Sequence, residues 1–176
     1  MVRPVIHRIA HRAAAVALAV GIAGAGFAAS VPAAWAGSGH ACQAVKTTAD
    51  TTREGVFCAD ISNSTNGPTV IVNIGTEGVC QTQVGATPEQ CSNVSITGGL
   101  WSPDGELVAF SFNCGHANPP CATPRAVFNV PINVTLKACE QVWTVVDAGS
   151  TIILPGSGKP VTLPANLGSG HITICP

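Results

Sequence analysis

Trp101-Ser102-Pro103-Asp104-Gly105-Glu106-Leu107-Val108-Ala109-Phe110-Ser111-Phe112-Asn113 is the stretch whose reading decides the fold. Pro103 is pre-set for the first position of a tight turn, and Gly105 is free to take a positive φ. Ser102–Gly105 therefore predicts a β-hairpin connection. In the strand that follows, Val108, Phe110 and Phe112 point one way while Leu107, Ala109 and Ser111 point the other. The bulkier set is expected to face the core.

The same punctuation repeats in both directions from this hairpin. Short β-type segments are expected at Gly55–Ile61, Thr69–Ile74, Val79–Gln83, Val94–Leu100, Leu107–Asn113 and Ala126–Val130. Others follow at Val134–Lys137, Val142–Asp147, Thr151–Leu154, Val161–Leu163 and His171–Cys175. Gly, Pro, Asn, Asp or Ser bounds nearly every one, and these residues supply turn geometry. Pro155 and Pro164 close two of the segments and donate no ladder bond, which suits strand ends or sheet edges. No window beyond position 36 sustains a helical apolar period. The fold class is all-β: a small, disulfide-stapled antiparallel β-sandwich, with a β-barrel as the alternative.

The first thirty-six residues read as a signal peptide that precedes this domain. Arg3, His7, Arg8, His11 and Arg12 come before an unbroken apolar run, Ala13–Ala29, and then Pro32 and Ala34-Trp35-Ala36. Basic, apolar, then small-x-small is the order that a signal peptidase requires. A retained membrane anchor is the alternative, disfavoured by the low hydrophobicity of an Ala/Gly-rich run. Arg8 and Arg12 are not adjacent, so the general export route is expected over a twin-arginine one. The alanine-heavy signal resembles bacterial ones. Leu154-Pro155-Gly156-Ser157-Gly158 is similar to a sortase signal, but no apolar tail with basic residues follows it. Gly39-His40-Ala41 lacks the large aliphatic residue that a lipidated Cys42 would need. The expected organisation is a signal peptide over 1–36, a partly ordered, threonine-rich arm over 37–54 pinned by Cys42, and a single domain over 55–176. The mature chain is expected to be secreted and extracellular, with no membrane span.

Beyond residue 36 stand five basic residues (Lys46, Arg53, Arg125, Lys137, Lys159) against nine acidic ones, a net charge of −4. Scattered lysines on an acidic domain give no electrostatic footprint for nucleic acid. All eight cysteines lie in this region. An even count in an exported chain reads as four disulfides. Of 105 possible connectivities, nearest-neighbour pairing is preferred because short loops close most easily. It joins Cys42 to Cys58, Cys80 to Cys91, Cys114 to Cys121 and Cys139 to Cys175.

Chemistry-bearing residues form no recognisable catalytic constellation. His116 lies in Cys114-Gly115-His116-Ala117-Asn118-Pro119-Pro120-Cys121, where neither thiolates at zinc spacing nor paired histidines occur. No metal or cofactor is therefore expected. Gly156-Ser157-Gly158 and Gly168-Ser169-Gly170 have the wrong spacing for a nucleophile elbow. His171 could serve Ser169 only with a carboxylate such as Asp147 beside it. Gly158-Lys159-Pro160 fails as a phosphate loop, because proline replaces the metal-binding hydroxyl. Asp104 and Glu106 share the hairpin and read as solvated turn acids. The sequons at Asn63, Asn93 and Asn133 matter only in a eukaryotic secretory path.

Carbohydrate-binding surfaces usually stack sugars on exposed Trp and Tyr, and this chain has few aromatics and no tyrosine, which counts against such a surface. Trp101 is the best exposed candidate, whereas Trp143 alternates with Val145 and is expected in the core. The expected function is a secreted, non-enzymatic binding or cell-surface module. Its partner would be an extracellular protein or a cell-envelope component. Trp101, His116, Pro119 and Pro120 are the candidate contacts. The alternative is a secreted protease inhibitor, in which Pro119-Pro120 stiffens an exposed Cys114–Cys121 loop and lowers the entropy lost on binding.

Overall fold

The computed structural model describes residues 37–66, 69–115, 121, 125–135 and 137–176. The signal-peptide reading of 1–36 and the residues His116, Pro119 and Pro120 lie outside them.

The described chain is all-β and holds twelve strands in two antiparallel sheets. Five strands form the first sheet: β1 (Ser38–Thr47), β2 (Asp50–Asn66), β3 (Thr69–Thr82), β4 (Pro88–Glu89) and β7 (Arg125–Val134). β3 lies beside β2 along its whole length, and its other side is shared between β7 and β4. The second sheet contains β5 (Asn93–Ser102), β6 (Gly105–Gly115), β8 (Glu140–Val146), β9 (Thr151–Ile153), β10 (Pro160–Thr162), β11 (Leu167–Gly168) and β12 (Ile172–Ile174). Here β5 pairs β6 on one flank and both β8 and β9 on the other, and the sheet curls toward a half-barrel. β2 and β3 pack over β5, β8, β9, β11 and β12. The architecture is a sandwich.

The core lies between the sheets. Phe57 and Ile61 from β2 and Val72 and Ile74 from β3 meet Val94, Ile96 and Leu100 from β5 and Val142 and Val146 from β8. All nine are at most 2% exposed. The hairpin predicted at Ser102–Gly105 joins β5 to β6, and Gly105 takes a φ of 126°. Along β6, Phe110 is buried and Phe112 half-buried, while Ala109 and Ser111 are exposed. Both phenylalanines reach across to Phe128 of β7, with ring centroids 5.3 and 5.6 Å apart. These tilted contacts close the sandwich where the edge strands of the two sheets meet.

Three expectations change. The stretch 37–54 is not a partly ordered arm, because Ser38–Thr47 is a strand paired with β2 along its length. Exposed and half-buried residues alternate along it, the period of a strand with one face to solvent. Asp50 secures the turn: its Oδ1 accepts hydrogen bonds from Thr52 N (2.9 Å), Thr52 Oγ1 (2.7 Å) and Arg53 N (3.1 Å), across the bulge that follows. Secondly, Thr69–Ile74 and Val79–Gln83 are one strand. Gly78 does not break it, and a Cβ there would lie 2.6 Å from Val94 Cγ1 of the opposite sheet. The glycine marks close sheet contact, not a turn. Thirdly, β7 runs through Pro131 to Val134. It pairs only with β3 among the described strands, and an edge position tolerates proline.

Four disulfides fasten the sandwich in nearest-neighbour order: Cys42–Cys58, Cys80–Cys91, Cys114–Cys121 and Cys139–Cys175. The first joins directly opposed residues of β1 and β2. The last ties the residue before β8 to the C-terminus. No helix among the described residues is long and apolar enough to cross a membrane.

Candidate functional site

A groove of about 460 Å³ opens beside β8 and is lined by Trp101, Trp143, Val145, Asn166, Gly168, Gly170 and His171. Its size falls within the range of small-molecule sites. Trp101 and Trp143 are directly opposed in the β5–β8 ladder. Alternation sends Val142, Thr144 and Val146 into the core, each 0% exposed, and turns Trp143 and Val145 to the other face. On β5, Leu100 is fully buried and Trp101, the next residue, faces away from it. The β5–β6 register shifts between Leu100 and Trp101, and such a bulge re-aims the side chain beside it.

The far wall comes from the chain around β11. Ser169 is 2% exposed, and its hydroxyl accepts from Thr144 N at 3.0 Å while donating to the Gly170 carbonyl at 2.9 Å. Gly170 then takes a φ of 86°, a turn that glycine adopts without strain. This delivers the His171 ring onto the Trp143 indole, stacked with centroids 4.3 Å apart and planes 25° from parallel. Asn166 Oδ1 accepts from Ala148 N at 2.8 Å, which leaves the amide NH₂ of Asn166 as a donor. The Trp101 Nε1–H is buried and has no hydrogen-bond partner among the described residues.

The lining holds no Asp, Glu, Lys or Arg. The groove thus offers two indole faces and an imidazole, one side-chain amide, and glycine backbone that a ligand can approach closely. It suits an uncharged ligand with a flat apolar face. Ser169 and His171 do not form a dyad. The serine hydroxyl is committed to backbone groups, and His171 makes no hydrogen bond to it or to Asp147 among the described residues.

Trp101 therefore lines the site, and His116, Pro119 and Pro120 lie outside the described residues. The Cys114–Cys121 disulfide closes the base of their loop, and both cysteines are buried. Trp143 departs from its expected place in the core and stands half-buried in the groove wall. Its pairing with Val145 was legible by alternation, but which face met the core was not. His171 is exposed, and its stack on Trp143 has no sequence signal.

A second cluster lies on the outward face of the first sheet. His40 Nδ1 bonds Asp60 Oδ1 directly, and His40 Nε2 stands 3.1 Å from Cys42 Sγ. Ligand atoms of His40, Cys42 and Cys58 lie within 4.8 Å of one another. The two sulfurs are bonded to each other and so are not thiolate ligands in this form. Beside this cluster, Lys46 pairs with Glu54, Arg53 with Glu89 and Asp50, and Arg125 with Glu77. Comparison of the chain with protein-family models, with curated proteins and with solved structures finds no match.

Proposed function

We propose that this is an exported, extracellular binding module that captures an uncharged saccharide of the cell envelope in the Trp101–Trp143–His171 groove. The observation that carries the reading is the convergence of two opposed indoles and a stacked imidazole in a lining without ionisable carboxylates or cations. Aromatic faces suit the C–H faces of a sugar ring, and the Asn166 amide supplies a directional donor to a hydroxyl. Four disulfides fit an oxidising extracellular setting. The chain has few aromatic residues, yet it spends two of its three tryptophans on this one site.

The test is intrinsic tryptophan fluorescence and affinity electrophoresis of the secreted domain against soluble neutral envelope polysaccharides. Saturable binding that is lost in Trp101→Ala and in Trp143→Ala supports the reading. Binding that persists in both variants, or no binding to any neutral glycan, overturns it. The protease-inhibitor reading keeps one supporting feature, the disulfide that closes the loop carrying Pro119 and Pro120. A panel of serine and metalloproteases tests it, and nanomolar inhibition lost on Pro120→Gly would establish it.

A further inference from the structure

We infer that the Cys42–Cys58 disulfide is a thiol–disulfide exchange centre, with His40 as its proton donor and Asp60 as the residue that positions the imidazole. Its partner would be the dithiol of another exported chain.

The hairpin register creates the cluster. Cys42 is opposite Cys58 and His40 is opposite Asp60, on successive rungs of the same face of β1 and β2. Asp60 holds Nδ1 of the imidazole, which aims Nε2 at Cys42 Sγ, 3.1 Å away. Across β2 and β3, Asp60 is opposed by Gly75, where a Cβ would come within 3.1 Å of Asp60 Cβ. The missing side chain leaves the carboxylate its room. Cys42 is exposed whereas Cys58 is 4% exposed, so an incoming thiolate has one reachable sulfur. The other charges on this face are already paired. Glu77, opposite Cys58, binds Arg125 at 2.9 Å, and Lys46 pairs with Glu54.

The remaining disulfides provide the contrast. Cys80–Cys91 and Cys114–Cys121 are buried at both ends. Cys139–Cys175 has an exposed sulfur residue in Cys139, yet no imidazole bonds to it among the described residues. Exposure alone therefore does not distinguish Cys42–Cys58. The carboxylate–imidazole pair beside it does, because a neighbouring imidazolium stabilises a departing thiolate.

The exchange balances in two steps. A partner thiolate attacks Cys42 Sγ, forming a mixed disulfide and breaking the Sγ–Sγ bond. The bonding pair passes to Cys58 Sγ, which lies within 4.8 Å of a His40 ring nitrogen, and the imidazolium protonates this departing sulfur once the broken bond frees it to move. His40 then removes the proton of the partner's second thiol. That second sulfur attacks the partner sulfur of the mixed disulfide, closing the partner's own disulfide. Cys42 leaves with the bonding pair, as a thiolate beside the imidazolium. Two electrons pass from the partner dithiol to the domain, which ends with Cys58 as a thiol and Cys42 as a thiolate paired with the imidazolium.

The experiment uses the folded domain and dithiothreitol as the probe dithiol. Timed quenching with iodoacetamide and peptide mapping then give the opening rate of each disulfide. Cys42–Cys58 is expected to open about tenfold or more faster than Cys139–Cys175, a modest share of what a positioned proton donor supplies. His40→Ala and His40→Gln should each bring the two rates together. Asp60→Asn should keep part of the difference but alter its pH profile, a change that a merely structural role would not produce. Because the ratio compares two disulfides in one molecule, a general loss of stability in one variant does not imitate the result. Equal rates in the wild type, or a ratio that survives in both His40 variants, overturns the proposal.

Discussion

His171 lies flat against Trp143, their ring centroids 4.3 Å apart, and the imidazole thereby extends the aromatic wall that Trp143 and Trp101 begin. The stack rests on the glycine turn before it and on the buried Ser169 hydroxyl that pins this turn to β8. His171 itself is exposed, so its ring contributes little to the core. His171→Ala is expected to weaken ligand binding by roughly two- to tenfold, from a stacking contribution of about 0.5–1.5 kcal/mol. The thermal midpoint should hardly move. Fluorescence titration and a melting curve on the same sample check both halves, and a large fall in midpoint would make His171 a structural residue instead.

Phe128 should behave in the opposite way. It is 9% exposed and receives both Phe110 and Phe112 from the other sheet. Phe128→Ala removes the shared partner of two ring contacts and leaves a cavity at the sandwich edge. The expected loss is about 3–5 kcal/mol, read from urea unfolding. Ligand binding at the Trp101–Trp143 groove should persist in the fraction that remains folded.

Gly78 supplies a test of how closely the sheets approach. A methyl group there would sit 2.6 Å from Val94 Cγ1, a distance that side chains do not sustain. Val94 is 0% exposed and β-branched, so it has little freedom to yield. Gly78→Ala is expected to destabilise the domain by about 1–3 kcal/mol through overpacking. An unchanged unfolding midpoint would show that the sheets can part at no cost.

The same residue shows where sequence reading stops. Alternation around Phe110 and Phe112 is unambiguous because it follows a turn whose proline and glycine have one geometric use. A glycine that ends a strand and a glycine that admits a valine from the opposite sheet look alike in one sequence. Gly78 therefore falls, by sequence, in the gap between Thr69–Ile74 and Val79–Gln83. The stretch before Asp50 misleads in a similar way, since its small and polar residues suggest a loose arm while they alternate as an outer strand. Trp143 failed for a third reason. Alternation grouped it with Val145, but both faces of β8 carry apolar residues, one set meeting the core and the other the groove. The proximity of His40 to Cys42 is legible only once residues 38–47 are known to be a strand.

Asp50 makes one pH-dependent contribution. Hydrogen bonds from the Thr52 hydroxyl and backbone, then from Arg53 N, and the Arg53 charge hold its pKa below the ordinary 3.8. A carboxyl whose folded value is depressed stabilises the fold at every pH above its unfolded value. That contribution disappears as pH falls through the lowered, folded value. The difference in thermal midpoint between wild type and Asp50→Ala should thus be constant through neutral pH and shrink on acidification. A difference that grows as pH falls would contradict the assignment.

The disulfides should differ in their worth according to the loops they close. Cys139–Cys175 spans 36 residues of sequence and Cys114–Cys121 only 7. If each bridge acts by restricting the unfolded chain, the longer loop removes more entropy. The estimates are about 4 kcal/mol for Cys139–Cys175 and about 2 kcal/mol for Cys114–Cys121. Replacing each pair by serine in turn, with the other three bridges intact, isolates the two contributions in urea unfolding. Burial works against this order, because Cys114 and Cys121 are 4% and 5% exposed, so serines there would also carry hydroxyls into the core. Alanine pairs at the same positions remove that penalty. On loop length alone, the Cys139/Cys175 alanine pair should lose more stability than the Cys114/Cys121 alanine pair, with the gap narrowed or reversed for serine. Equal losses in the two alanine pairs would show that these bridges act through native packing and not through the unfolded chain.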